Sequence, residues 1–213
     1  GCSDPIPHEL GGRYATAVKD HYVPYPWALG YASSLLKRDT NHQVKTIDCQ
    51  AQDYSENDFS EAVEKFKPDV LVFEVPTITF DYCMEMIIPL KKKYGFILIL
   101  VGLHASGIPL ETMKENKFAD YLIKHDYAIQ LLKFAKYNFK KEKASLIPLL
   151  FYRDGKKIMQ TKTKLKIVSL DSLPYPDRDD LPIGQYHDLE VAGKPTIHMV
   201  TSRGCPFTCS YCN

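Results

Sequence analysis

Two short runs of apolar residues, 70–75 (VLVFEV) and 96–101 (FILILV), constrain the fold of this chain most. Each run has the length of a β-strand, and its near-continuous apolar character is typical of a strand buried on both faces. A helical pattern at 80–94 lies between them; Gly95 should end it, and Pro89 should kink or shorten it. Two buried strands joined by a helix predict a parallel sheet covered by helices.

The same alternation extends from residue 13 to residue 141 and predicts an α/β domain with a five-stranded parallel sheet and helices on both faces. Besides the two apolar runs, the expected strands are 13–19, 44–48 and 121–124. Further helices are expected where apolar residues recur at helical spacing: from Trp27, after a Ser55 N-cap, at 109–116 and at 128–141.

Ligands of such sheets bind at the carboxyl ends of the strands. The loops expected there are 20–26, 75–79 and 102–109. No G-x-G-x-x-G sequence follows any strand, so the fingerprint of a dinucleotide site is absent.

Beyond residue 141 the pattern changes. Residues 146–152 and 156–160, joined through Arg153-Asp154-Gly155, are typical of a β-hairpin with an Asp-Gly turn. Three prolines then punctuate an aperiodic stretch, which predicts an extended surface linker. The expected parts are an N-terminal segment 1–12, an α/β domain 13–141, a hairpin and linker 142–194, and an incomplete further domain 195–213.

Composition and charge exclude several classes of function. Lys and Arg number 27 against 26 Asp and Glu, for a net charge of +1, so nothing favours nucleic acid or an anionic membrane. No apolar run is long enough to span a bilayer, and no signal peptide is visible. Cys2, Cys49 and Cys83 are scattered rather than arranged as a disulfide framework, which favours the cytoplasm. The sequence starts without Met, so it is expected to be a piece of a longer chain.

The other three cysteines stand together as Cys205, Cys209 and Cys212, in C-x3-C-x2-C spacing. Three thiolates on one short loop can bind three irons of a four-iron, four-sulfur cluster and leave the fourth iron open to a small molecule. The alternatives are a zinc site or a chance grouping. Zinc sites normally need a fourth protein ligand and often use paired C-x2-C units, which are missing here.

This motif resembles the signature of radical S-adenosylmethionine (SAM) enzymes. The residues before it, 195–204 (PTIHMVTSRG), predict a strand and a tight turn, and Tyr211 places an aromatic residue between the last two cysteines. The resemblance implies that 195–200 is the first strand of a barrel and that Cys205, Cys209 and Cys212 bind a 4Fe–4S cluster. It also implies that SAM binds the open iron and is cleaved to a 5′-deoxyadenosyl radical. An electron donor such as flavodoxin or ferredoxin would reduce the cluster.

A second resemblance covers nearly the whole chain, whose order of parts is similar to that of cobalamin (B12)-dependent radical SAM enzymes. That family places a Rossmann-like (flavodoxin-like) cobalamin domain and a linker before the barrel. The matching stretches are 24–33 (PYPWALGYAS), 42–48 (HQVKTID), 68–72 (PDVLV), 101–106 (VGLHAS) and 173–176 (LPYP).

The chain also departs from the patterns of cobalamin proteins. Residues 101–104 read Val-Gly-Leu-His where members often have Gly-Gly-Pro-His. The Asp-x-His-x-x-Gly signature is absent, because Asp20 and His21 are adjacent. The resemblance therefore implies cobalamin bound without a protein imidazole on cobalt.

Several side chains near the expected carboxyl ends are candidates for contact with cobalamin. The glycine would let the backbone approach the nucleotide tail, the polar side chains would hydrogen-bond to it, and the aromatic rings would lie under the corrin. Each has an ordinary alternative as a turn residue, a packed histidine or a part of the core. The candidates are Tyr25, Trp27, Thr77, Gly102, His104 and Ser106.

Three functions follow from these resemblances. The first is a B12-dependent radical SAM enzyme acting on a small molecule, most often a methyltransferase. The second is a cyclase or methylthiotransferase of the same architecture, although a methylthiotransferase would carry further cluster cysteines. The third is a non-catalytic cobalamin-binding or sensing module. With nearly the whole barrel missing, the chain alone is expected to be inactive.

Overall fold

The computed structural model describes residues 23–74, 76–165, 168–187, 195–205, 207 and 209–210. The helices of this part are α1 (Trp27–Asp39), α2 (Glu56–Phe66), α3 (Phe80–Tyr94), α4 (Leu103–Gly107), α5 (Pro109–Glu115) and α6 (Ala128–Lys136). The strands are β1 (Val70–Glu74), β2 (Ile97–Val101), β3 (Tyr121–Ile123), β4 (Leu150–Asp154) and β5 (Lys157–Gln160). Three short 3-10 turns occupy Lys141–Leu146, Leu170–Ser172 and Ile183–Gln185.

The five strands form one sheet in the order β1-β2-β3-β4-β5. β1, β2 and β3 are parallel, whereas β4 and β5 run antiparallel. The α/β class is confirmed, but the sheet is mixed rather than wholly parallel, and the hairpin extends it. The reason lies in residues 137–149, which bury Ala144 and Ile147 and lead the chain to the carboxyl end of β3. β4 therefore begins opposite Ile123 and runs back along β3.

Helices cover both faces of the sheet, as expected from the doubly buried strands. Ile99 and Val101 of β2 face a core layer shared with α1 and α6. Leu98 and Leu100 face a second layer shared with α2, α3 and α5. All four side chains are fully buried. At roughly 1.5–3 kcal/mol for each buried aliphatic side chain, this one strand contributes substantially to the stability of both layers.

Local sequence signals explain several helix boundaries. The Ser55 side chain accepts a hydrogen bond from the Asp58 backbone N–H, and the Asp58 carboxylate accepts one from the Ser55 backbone, so the expected N-cap is a capping box. Gly95, with φ of 72°, ends α3 as expected. α3 nevertheless runs unbroken through Pro89. The buried side chains of Met84, Ile87 and others on its inner face hold the helix against the second core layer.

Two of the expected strands are not strands in the structure, and a third falls on residues that the structure does not describe. Residues 13–19 lie outside the described part. Residues 44–48 form no strand in the described part, because their backbone bonds to side chains: Thr46 N–H donates to Asp180 and Asp48 N–H donates to Gln52. Residues 195–200 are also not paired as a strand within the described chain. A backbone hydrogen bond joins Thr196 N–H to the carbonyl of Tyr186.

The segment expected to be a surface linker is fastened to α1 through a buried carboxylate. Asp177 is only 5% exposed and accepts hydrogen bonds of 2.6 Å from both Ser33 and Lys37. Its backbone N–H donates to the carbonyl of Gly30 at 2.9 Å. A buried carboxylate without partners would be costly, so these bonds fix where the linker lies on the helix.

Candidate functional site

The carboxyl ends of β1, β2 and β3 lie side by side, because the three strands are parallel and in register. Three loops meet at this edge: residues 76–79 after β1, residue 102 leading into α4 after β2, and residues 124–127 after β3. The first two were expected from the sequence. The third was not, although it follows a predicted strand and the same rule would have included it.

Gly102 makes the turn from β2 into α4. Its φ of 96° and ψ of −167° belong to a region that only glycine enters without strain. The Ser106 hydroxyl donates to the carbonyl of Gly102 at 2.8 Å and accepts a 2.8 Å hydrogen bond from the backbone N–H of His125. Ser106 is buried, so its hydroxyl joins the β2 and β3 loops rather than projecting to a ligand.

Residues 125–127 tie together three separate pieces of the chain. His125 binds Ser106, as described above. The Asp126 carboxylate forms an ion pair with the guanidinium of Arg203, in the segment just before the cysteines. The Tyr127 hydroxyl donates to the Glu74 carboxylate at the end of β1, at 2.9 Å. This short loop therefore fixes the carboxyl edge and the cysteine segment relative to each other.

Exposed apolar side chains lie beside these polar contacts. Ile78 is 57% exposed and Leu103 is 51% exposed. Thr77, between Pro76 and Ile78, is exposed as well. Together they give this edge the mixture of apolar surface and a few polar groups that is typical of cofactor sites.

His104 packs into the wall of the site. Its imidazole stacks on Phe80, the first residue of α3, with ring centroids 4.0 Å apart and planes 24° apart. Burial lowers the pKa of His104, against the opposing effect of the Asp81 and Glu115 carboxylates, so the ring is neutral near pH 7. Its Nδ1 is buried without a hydrogen-bond partner in the described chain. The stacking joins the β1 and β2 loops.

The two aromatic candidates occupy different environments. Tyr25 is 2% exposed; its hydroxyl donates to the Asp177 carbonyl, and its ring meets that of Tyr186 edge-on at 5.2 Å. Burial, with a contribution from Asp177, raises its pKa. Trp27 is half-buried and lies against Tyr31 and the guanidinium of Arg203. Tyr25 thus belongs to the packing of the linker, and Trp27 to the docking of the cysteine segment.

The expected iron ligands lie just beyond Arg203. Cys205 and Cys209 are exposed and form no disulfide. Cys212 lies outside the described residues, and within the described ones no three His, Cys, Asp or Glu side chains are grouped to hold a metal. The two described thiols are thus open to a ligand, at a loop anchored to the sheet edge by the Arg203 ion pair.

A cleft of about 1470 Å³ opens along the edge of β1 that pairs with no other described strand. Residues 42–49, α1 and α2 form its other walls. The strand that the sequence predicts at 13–19 lies outside the described residues, so we assign no ligand to the part of the cleft along β1. The part of the cleft that Thr77 and Leu103 line lies at the carboxyl edge of the sheet.

The chain is similar in sequence to proteins of two kinds. An uncharacterised methyltransferase of Pyrococcus horikoshii is 26% identical over 189 residues, which are 88% of this chain and 40% of that protein. The anaerobic magnesium-protoporphyrin IX monomethyl ester cyclase of Rubrivivax gelatinosus is 23% identical over 196 residues, 89% of this chain and 35% of the cyclase. The chain therefore spans less than half the length of these relatives. No protein-family model matches the chain.

Solved structures share the fold. The cobalamin-dependent SAM radical enzyme OxsB, with aqua-cobalamin and SAM bound, superposes with a TM-score of 0.57 at 14% identity. The match covers 68% of this chain and 21% of OxsB. The radical SAM methyltransferase TsrM of Kitasatospora setae, with cobalamin and a 4Fe–4S cluster bound, also gives a TM-score of 0.57 at 14% identity, over 74% of this chain and 30% of TsrM.

The chain thus shares its fold with part of OxsB and part of TsrM, and the resemblance to cobalamin-dependent radical SAM enzymes that was predicted from the sequence is confirmed. The structural neighbours are solved with the three expected cofactors, cobalamin, SAM and the cluster. Within the described residues, no helix combines the length and apolar character that crossing a membrane requires.

Proposed function

We propose that this chain is the N-terminal part of a B12-dependent radical SAM enzyme, with cobalamin at the carboxyl edge of the sheet and a 4Fe–4S cluster on the cysteine loop. The ion pair between Arg203 and Asp126 carries this proposal. It places the start of the cysteine loop at the edge where α/β sheets bind ligands. An enzyme that uses both cofactors on one substrate needs their sites to be neighbours.

The carboxyl edge suits a large, flat and partly apolar cofactor. The exposed side chains of Ile78 and Leu103 offer apolar surface, and Thr77 offers a hydroxyl. Gly102 has no side chain to keep a ligand from its backbone. His104 and Ser106 stabilise these loops rather than contacting the ligand: His104 stacks on Phe80, and Ser106 accepts a hydrogen bond from the backbone of His125. We expect cobalamin to be held here without a histidine on cobalt, because the sequence lacks the Asp-x-His-x-x-Gly signature.

The cysteine loop suits the cluster through the chemistry of its donors. Cys205 and Cys209 are exposed and unpaired, and the spacing to Cys212 supplies a third thiolate. When bound, the cluster supplies the electron that cleaves SAM to a 5′-deoxyadenosyl radical, and cobalamin supplies a carrier for a methyl group. Trp27, Tyr31 and Asp126 hold the arginine that precedes the loop, and these contacts would fix where a bound cluster lies.

The reaction we propose is methyl transfer to an unreactive carbon of a small molecule. The methyltransferase relative and the methyltransferase TsrM support it. Ring closure is the second candidate, because the matched cyclase covers the same stretch of this chain. The products of SAM separate the two reactions: a methyl transfer from SAM leaves S-adenosylhomocysteine, whereas a radical cyclisation does not require it.

Anaerobic reconstitution of the full-length protein with iron and sulfide tests the proposal. We expect about four irons per chain, the stoichiometry of a 4Fe–4S cluster. Replacing Cys205, Cys209 and Cys212 together by alanine should abolish iron binding. The half-buried Cys49 and Cys83 provide the matched control, since their joint replacement should leave the iron content unchanged. Unchanged iron in the triple variant would contradict the assignment.

A further inference from the structure

The cysteine segment is docked on the α/β domain through one side chain. Arg203 pairs with Asp126 by its Nη1. Its guanidinium carbon lies 4.7 Å from the ring centroid of Tyr31 and 5.7 Å from that of Trp27. The side chain is 16% exposed, although the residues on either side of it, Ser202 and Gly204, are exposed. The charged side chain of Arg203 is thus largely buried against the domain, although it belongs to an exposed loop.

The hydrogen bonding of this arginine is incomplete. Its Nε and Nη2, and the Oδ1 of Asp126, are buried without hydrogen-bond partners in the described chain. Buried donors without partners cost free energy, because both nitrogens would bind water if Arg203 swung out. This cost opposes the ion pair and the cation–π contacts, which gain strength from burial. Whether Arg203 stays docked therefore depends on the balance between these opposing effects.

We infer that Arg203 is a positioning residue that acts as a reversible latch, holding the cysteine loop at the carboxyl edge of the sheet before any cofactor is present. Asp126 supplies the opposite charge, and Tyr31 and Trp27 supply the ring faces. The inference rests on the proposed function only in one respect, namely that the loop binds a 4Fe–4S cluster. The docking itself involves residues of this chain alone.

The chain carries its own probe, because Trp27 is its single tryptophan and lies in the latch. Energy transfer from Trp27 to a dansyl-type acceptor on Cys205 reports whether the loop is docked. Cys205 is exposed and can be labelled in a variant whose other cysteines are replaced by alanine. No cofactor is added in this measurement.

We expect efficient transfer in the otherwise unaltered chain and weaker transfer in Arg203→Met and in Asp126→Asn. Each change should raise the ratio of undocked to docked loop about tenfold, which corresponds to ~1.4 kcal/mol. Arg203→Lys should restore part of the transfer, since it keeps the charge but loses the planar group that lies over the rings. The control is Lys156→Met, which removes an exposed cation in the β4–β5 turn and should change nothing.

The charge-exchanged double variant, Arg203→Asp with Asp126→Arg, separates undocking from misfolding. It should recover more transfer than Arg203→Asp alone, whereas a variant that has simply failed to fold would not be rescued. Unchanged transfer in Arg203→Met, or an equal loss in Lys156→Met, would overturn the latch. Absence of iron in the full-length protein would overturn the proposed function instead and leave the transfer result standing.

Discussion

Ser106 and His125 join two loops at the functional edge: the backbone N–H of His125 donates to the Ser106 hydroxyl at 2.8 Å. The backbone of His125 has φ of 60°, a left-handed conformation that costs a non-glycine residue roughly 1–2 kcal/mol. The bond to Ser106 offsets part of that cost. It also orients the next two residues, Asp126 and Tyr127, towards Arg203 and Glu74.

Replacing Ser106 by alanine should destabilise the domain measurably. The substitution leaves the backbone N–H of His125 without its acceptor, at a cost of about 1–3 kcal/mol. Urea unfolding followed by circular dichroism would measure the loss. Ser60→Ala is the control, because the Ser60 hydroxyl donates to the Glu56 carbonyl of its own helix at an exposed position, so its removal should change stability by less than about 0.5 kcal/mol. Equal effects of the two changes would contradict the role given to Ser106.

Gly30 is required by the close approach of the linker to α1. A Cβ at this position would clash with the Tyr25 hydroxyl and would lie 3.0 Å from the Tyr25 Cζ and 3.1 Å from the Cβ of Pro176. Gly30→Ala should therefore cost about 1–3 kcal/mol and loosen the linker, as overpacking does. Limited proteolysis at residues 170–187 would detect the loosening.

The matched glycine is Gly184, also in the linker, where a Cβ would meet nothing within 4 Å. Gly184→Ala should be neutral or slightly stabilising, because it restricts the unfolded chain. If both glycine substitutions opened the linker equally, crowding at Gly30 would not be the cause.

The sequence predicted the elements whose signals are local. The apolar runs around Leu98 and Val72 placed two strands, Gly95 ended α3, and Ser55 capped α2, because each signal acts on its own segment. The antiparallel attachment of β4 was missed. It depends on where residues 137–149 bury their apolar side chains, which is a long-range property.

The site was predicted only in outline. The rule that ligands bind at strand ends located Gly102 and Thr77. The roles of individual side chains were predicted only from their chemical type. Tyr25 was a candidate floor for the corrin and is buried against the linker, where its hydroxyl meets the Asp177 carbonyl. Asp126 and Arg203 are 77 residues apart in the sequence, and no local sequence pattern predicts that they pair.

The linker should lose its attachment in acid. Burial opposes ionisation of Asp180, but hydrogen bonds from Lys37, Lys45 and the Thr46 backbone outweigh it and lower its pKa. The folded pKa lies below the unfolded one, so the stabilisation is present above about pH 4, the ordinary pKa of aspartate, and is lost as pH falls through the folded value. Asp180→Asn should flatten the pH dependence of unfolding in this range. The exposed Glu85→Gln should not.

The thiols should differ sharply in reactivity. Cys205 and Cys209 are exposed and should be alkylated by iodoacetamide within minutes at pH 8. Burial, helped by Asp48, raises the pKa of Cys49 to about 12, so only on the order of one thiol in ten thousand is ionised at that pH. Burial also raises the pKa of Cys83. Mass spectrometry of the labelled peptides measures the order in which the four thiols react. Fast labelling of Cys49 in the folded chain would contradict the prediction.

The glycine at the end of β2 offers a matched pair of variants for cobalamin binding. Gly102 and Gly155 both have positive φ, so valine strains the backbone at either position. Gly102 lies at the carboxyl edge, whereas Gly155 lies in the β4–β5 turn, beyond the amino end of β3. In the same way, Leu103→Lys alters the exposed apolar surface of the edge, and Met159→Lys alters an exposed side chain of β5.

Titration of the 213-residue chain with hydroxocobalamin, followed by its visible spectrum and by co-elution on gel filtration, tests the central claim most directly. We predict binding without imidazole on cobalt, weakened at least about tenfold, or ~1.4 kcal/mol, by Gly102→Val and by Leu103→Lys. Gly155→Val and Met159→Lys should bind normally. Failure of cobalamin to co-elute, or equal weakening by the control variants, would contradict a site at this edge. An imidazole spectrum abolished by His104→Ala or His125→Ala would contradict the mode of binding.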